Sequence, residues 1–174
     1  LPAGLQKVER NAIDNSNNIT STIFCKGAGK GSEWEDNWFR GSQTNTVWNV
    51  RGCIVKNNQF YVILEDNTAA LVYGLVFNNK LVVESRLNYQ NEIIPVKKIC
   101  QYACRGVGNN ISIIIPEGIE IIENNAFCDV QEYNVANLTL SEGLKTIGAS
   151  AFESVNICEV RIPDSVESIG SFAF

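Results

Sequence analysis

Three stretches of this chain follow one ruler: IPEGIEIIENNAF (Ile115 to Phe127), LSEGLKTIGASAF (Leu140 to Phe152) and IPDSVESIGSFAF (Ile162 to Phe174). With the first residue of each counted as zero, apolar side chains fall at offsets four and seven, Ala at eleven and an aromatic at twelve. The sets are Ile119, Ile122, Ala126, Phe127; Leu144, Ile147, Ala151, Phe152; and Val166, Ile169, Ala173, Phe174. Two weaker copies fit as well. LPAGLQKVERNAI begins at Leu1 and supplies Leu5, Val8, Ala12 and Ile13, and EIIPVKKICQYAC supplies Val96, Ile99, Ala103 and Cys104. Ala103, Ala126, Ala151 and Ala173 are 23, 25 and 22 residues apart. Self-similarity at this period is the mark of a solenoid, in which one coil cannot bury its apolar side alone but stacked coils can.

The ruler has a physical reading. Alternating runs precede each copy: ISIII (Ile111 to Ile115), NLTL (Asn137 to Leu140) and EVRI (Glu159 to Ile162). Alternation at period two predicts strands with one face inward. Pro116 and Pro163 then end the strands, since proline brings no N–H to a ladder. Gly118 and Gly143 suit the turn that follows. Ala marks a close approach of successive coils, and the aromatic fills the space between them.

These residues resemble the BspA-type leucine-rich repeats, whose pattern is an apolar strand, Pro, Val, Ile-Gly and then Ala-Phe. IPDSVESIGSFAF is almost a consensus copy, and the likeness covers residues 92–174 and 1–24. TIFCKGAGKGSEWEDNW (Thr22 to Trp38) also resembles a segment that closes repeat blocks in this family. The resemblance implies an α/β, β-rich leucine-rich-repeat solenoid of about 22–25 residues per coil. It further implies a surface-exposed or extracellular protein that adheres to other proteins or cells.

Residues 25–91 break the period. Gly27, Gly29, Gly31 and Gly41, punctuated by Trp34, Trp38 and Trp48, predict a loop-rich segment over 26–46. Gln59 to Val76 reads as a hairpin around Glu65-Asp66-Asn67, and Lys80 to Leu87 as a third strand. Three parts are therefore expected: a partial repeat block with its terminator (1–53), a β-hairpin cap (54–91) and the repeat coils (92–174). A cap is needed because an end coil exposes apolar surface and strand edges.

Composition narrows the function classes. The chain contains no His, which excludes Ser-His-Asp and Cys-His catalysis and imidazole zinc sites within it. There is no CxxC pair, and no metal or cofactor is expected. A net charge of -5 with no basic run disfavours nucleic acid as partner, and no run is long and apolar enough to span a membrane. Carboxylate pairs such as Glu117 and Glu120 match the ordinary charged outer face of a solenoid, so no enzyme is expected. Sequons at Asn18, Asn110 and Asn137 are candidate glycosylation sites, although 21 Asn residues make chance sequons common. Trp34, Trp38 and Trp48 are candidates for stacking on sugars; the alternative, pinning of the loop to the solenoid, is favoured because large aromatics are mostly buried. Cys104 and Cys128 lie about one coil apart and Cys25 and Cys53 flank the loop segment; both pairs are candidate disulfides, with buried free thiols the competing reading. Three functions remain: a protein-binding surface module, a subunit stacking on copies of itself, and a glycan binder. For the second, the assembly ends are Leu1, Leu5, Val8 and Ile13 against Val166, Ile169 and Phe174.

Overall fold

The computed structural model describes residues 7–8, 13–14, 21–26, 33–34, 39–40, 44–105, 108–128 and 133–174. The chain divides into two compact units, Leu1–Gly52 and Cys53–Phe174. The strand Val50–Lys56 runs across the boundary.

In the second unit two rows of parallel strands run along the stack of coils. One row orders Lys80–Val82, Ile111–Ile115, Tyr133–Leu140 and Val155–Ile157. The other orders Ala69–Gly74, Glu92–Ile99, Ile121–Ile122, Thr146–Ile147 and Ser168–Ile169, with Gln59–Leu64 added antiparallel beside Ala69–Gly74. Each coil contributes one strand to each row. The ruler's apolar positions lie between the rows: Ile119, Ile122, Ala126, Phe127, Leu144, Ile147, Ala151 and Phe152 are all fully buried. So are Val96, Ile99, Ala103 and Cys104 of the weaker copy. Among the described residues there are strands and turns and no helix, so the helical part of the expected α/β repeat is not seen. Coils of this length close with turns alone.

The ladder between coils uses the same offsets each time. Gly74, Cys104, Phe127 and Phe152 donate their N–H to the carbonyls of Ala103, Ala126, Ala151 and Ala173. The residue two before each of these donors in the last three coils, and in the next copy, is left-handed: Tyr102, Asn125, Ser150 and Phe172 have φ of 59°, 58°, 55° and 56°. Gly118 and Gly143 have φ of 96° and 95°, the turn conformation expected of them. Gly148 answers a different need. A Cβ there would lie 2.5 Å from the Asn124 backbone nitrogen, so the coils touch backbone to backbone.

Some expected elements fall elsewhere. The strand expected over Glu159–Ile162 forms instead at Val155–Ile157, in register with Tyr133–Val135. Lys80 to Leu87 makes two strands, not one. Lys80–Val82 already belongs to the solenoid row, and Arg86–Tyr89 pairs antiparallel with Glu92–Pro95. In the first unit the segment expected to be loop carries Glu33–Trp34, Phe39–Arg40 and Thr44–Val47. These pair parallel with Lys7–Val8, Ile13–Asp14 and Ser21–Phe24. One coil is therefore stacked on another there too, Lys7 opposite Glu33 and Ile13 opposite Phe39, both 26 residues apart.

Candidate functional site

The row headed by Lys80–Val82 presents an outward face. Register places Lys80, Ser112 and Asn137 in one line across the strands, and Val82, Ile114 and Thr139 in the next. Their partners one residue along, Leu81, Ile113 and Leu138, point into the core. A polar line therefore lies beside a mainly aliphatic one on an open β surface.

At the Lys80 end this face runs into a groove of about 310 Å³, lined by Asn57, Gln59, Leu75, Phe77, Lys80 and Val82 among others. Two tight turns build it. Asn57-Asn58 (φ 52° and 61°) joins Val50–Lys56 to Gln59–Leu64, and Asn78-Asn79 (φ 50° and 56°) joins Phe77 to Lys80. Paired left-handed residues suit the mirror turns that match strand twist, and Asn tolerates that conformation better than most residues. Phe77 and Lys80 exchange both backbone hydrogen bonds, at 3.1 and 3.0 Å, which fixes the two side chains as direct neighbours. Phe77 is 63% exposed, Leu75 44% and Val82 40%, an unusual density of open apolar surface for one corner.

The outer edge of Lys80–Val82 is occupied. Gln59 donates its amide to the Val82 carbonyl at 2.7 Å, and the Glu84 N–H donates to the Tyr61 hydroxyl at 2.9 Å. That hydroxyl donates in turn to Gln59 Oε1. Gln59 and Tyr61 are both buried, and burial pushes the Tyr61 phenol well above its ordinary pKa, so it stays a donor. Glu84 is held by Lys56 at 2.8 Å and by the Asn57 amide at 2.6 Å.

On the other row, one ruler position carries alternating charge: Lys97, Glu120, Lys145 and Glu167 follow one another through backbone hydrogen bonds of 2.8–2.9 Å. Lys97 also meets the Glu120 carboxylate at 2.6 Å, which, with help from Lys145, lowers the Glu120 pKa from its ordinary value.

The residues singled out from sequence are dispersed. Asn110 is exposed, with its N–H bonded to the Asn134 carbonyl. Asn137 is exposed on the open face, and Asn18 lies outside the described residues, as do Leu1 and Leu5. Trp38 also lies outside them. Trp34 stands in a strand, not a loop, and Trp48 is half-buried. Val8 and Ile13 each lie in a short strand. Val166 is half-buried, while Ile169 is 50% and Phe174 49% exposed, so the last described coil shows its apolar side. Cys25 and Cys104 are buried, Cys128 is half-buried and Cys53 is exposed; Cys25, Cys53 and Cys104 are free thiols. Cys104 fills, as a small hydrophobe, the site that Phe127 and Phe152 fill in later coils. Sequence reading missed the groove, although the Asn-Asn pairs at 57–58 and 78–79 between apolar runs were its signal. Among the described residues no cluster of three or more His, Cys, Asp or Glu side chains could hold a metal ion.

Two rows of short parallel strands, a coil period in the twenties and an aromatic stack between coils define a β-rich solenoid of the leucine-rich-repeat class. Residues 97–174 match a family model described as "BspA type Leucine rich repeat region (6 copies)". No curated protein matches the chain. Among solved structures, a leucine-rich repeat protein from Bacteroides capillosus ATCC 29799 is similar at 23% identity with a TM-score of 0.59, covering 68% of this chain and 88% of its own. The pneumococcal vaccine antigen PcpA is similar at 20% identity with a TM-score of 0.54, and this chain, 70% covered, spans 35% of it. At these identities the likeness establishes the fold.

Proposed function

We propose that the chain is a non-enzymatic protein-interaction module acting at a cell surface or outside the cell. The observation that carries this reading is the open face of Lys80, Ser112 and Asn137 beside Val82, Ile114 and Thr139. It is a broad surface of mixed polarity, of the kind that suits a protein partner. The BspA-type repeats support it, and so does the fold shared with PcpA, a vaccine antigen. Residues 54–91 act in this reading as the N-terminal closure of the coil stack, with Gln59 and Tyr61 taking the place of a preceding strand. The test is a screen of the purified chain against surface proteins and intact cells. A partner should bind, and Asn137→Arg with Thr139→Arg should abolish that binding without altering thermal unfolding. Failure to engage any protein or cell overturns the reading.

A second reading rests on Ile169 and Phe174. Their half-exposed side chains offer a stacking surface for a further coil, contributed by the same chain or by another copy. Concentration-dependent assembly in sedimentation, lost in Ile169→Lys, is the expected sign of the second case; a monomer at every concentration would exclude it.

A further inference from the structure

Resting on the interaction-module reading, we infer that the groove between the two Asn-Asn turns is a docking site for a protein segment that presents an apolar side chain beside a carboxylate. Three observations combine. First, the anchor is preorganised. The Asn78-Asn79 turn and its paired backbone hydrogen bonds hold the backbones of Phe77 and Lys80 side by side in the free protein, so little backbone ordering remains to be done on binding. Second, the walls combine three apolar side chains and three amides with one cation. Phe77, Leu75 and Val82 are all substantially exposed, and Lys80 stands among them with no carboxylate partner among the described residues. The nearby acid, Glu84, is already held by Lys56 and by the Asn57 amide. A bound carboxylate would therefore complement Lys80, and an aliphatic or aromatic side chain would cover Phe77. Third, the backbone edge is closed. Lys80 N–H and C=O are taken by Phe77, the Val82 carbonyl by Gln59 and the Glu84 N–H by Tyr61. Recognition here goes through side chains in the groove and not through addition of a strand to the sheet. The exposed apolar area of Leu75, Phe77 and Val82 beside one cation fits a peptide that carries an apolar and an acidic side chain.

The test selects a random dodecapeptide phage library on the intact chain and measures a fluorescein-labelled selected peptide by anisotropy. Selected peptides should pair an apolar residue with Asp or Glu. Phe77→Ser should weaken binding about tenfold or more, as loss of an anchoring aromatic does. Lys80→Glu should weaken it too, and a peptide with its acid changed to Lys should regain affinity for that variant alone. Both positions are exposed, and thermal unfolding of the variants confirms that they fold. Peptides that bind equally well to Phe77→Ser and Lys80→Glu, but lose binding in Asn137→Arg, would overturn the groove while leaving the interaction module standing. Glycans held through Phe77 with no peptide selected would overturn the partner class. No ligand of any kind, with no protein or cell bound in the wider screen, would remove both readings together.

Discussion

Single residues set how closely the coils can stack. Gly148 is the sharpest case, because its missing Cβ is what lets its coil rest on Asn124. Gly148→Ala should cost about 3 kcal/mol, at the upper end of overpacking effects, read from the urea midpoint. A shift smaller than about 1 kcal/mol would mean that the coils separate easily. The aromatic position shows the opposite effect. Phe152 stacks between Phe127 and Phe174, with ring centroids 4.8 and 5.3 Å away and planes within 8°. Phe152→Ala should cost about 3–5 kcal/mol in the same assay, as large-to-small changes of buried aromatics do. Cys104→Ala should cost far less, since the thiol it removes is small. A Cβ on Gly74 would lie 2.9 Å from its Sγ, so there is little room on that side for anything larger. That is why the ruler places Cys and not Phe in this coil.

At the scale of elements, the edge of Lys80–Val82 is closed by side chains that sequence alone does not flag. Tyr61 lies in a hydrophobic run, QFYVIL, where its ring reads as core; only the fold shows its hydroxyl bridging Glu84 and Gln59. Tyr61→Phe removes no packing but strands a buried amide and a backbone N–H. It should destabilise by about 1–3 kcal/mol and raise aggregation in light scattering; a neutral result would show that the edge is held by other means. The salt-bridged strands make a pH prediction. The Glu120 pKa is lowered in the fold, first by its hydrogen bond to Lys97. Its contribution is therefore present above the ordinary carboxylate pKa and is lost as pH falls through the folded value. Both partners are more than a third exposed, so the contribution stays under about 1 kcal/mol and is screened by salt. Glu120→Gln should flatten the acid limb of the stability curve slightly; an unchanged limb would assign acid sensitivity elsewhere. The strands at Ile111–Ile115 and within Tyr133–Leu140 were legible because alternation and burial agree there. Glu159–Ile162 was not: its alternation is as clear, but pairing with Tyr133–Val135 is made by Val155–Ile157, which begins four residues earlier.

For the whole molecule, legibility followed how faithfully each coil keeps the ruler. The three copies that begin at Ile115, Leu140 and Ile162 keep every offset, and there most of the fold could be read from sequence. The coil that carries Glu33–Trp34 and Phe39–Arg40 was hidden, although GAGKGSEWEDNWF (Gly27 to Phe39) puts Trp34 at offset seven and Phe39 at offset twelve. Gly31 replaces the apolar residue at offset four and Trp38 the Ala at eleven, so the glycines read as loop. The groove was equally hidden, because it is made by the meeting of two turns that are 21 residues apart in sequence.

The charges along Lys97, Glu120, Lys145 and Glu167 give the stack a parity. Removing one coil, for instance residues 120–144, would bring Lys97 against Lys145, like against like. Removing two would bring Lys97 against Glu167 and restore attraction. Shortened chains should therefore lose stability unevenly in low-salt melts. The penalty beyond lost length should fall on the single deletion and fade with added salt; equal behaviour of the two would show that the alternation carries no energy. Coils that look interchangeable in sequence are, by charge, of two kinds, and an array built from them lengthens and shortens most readily in pairs.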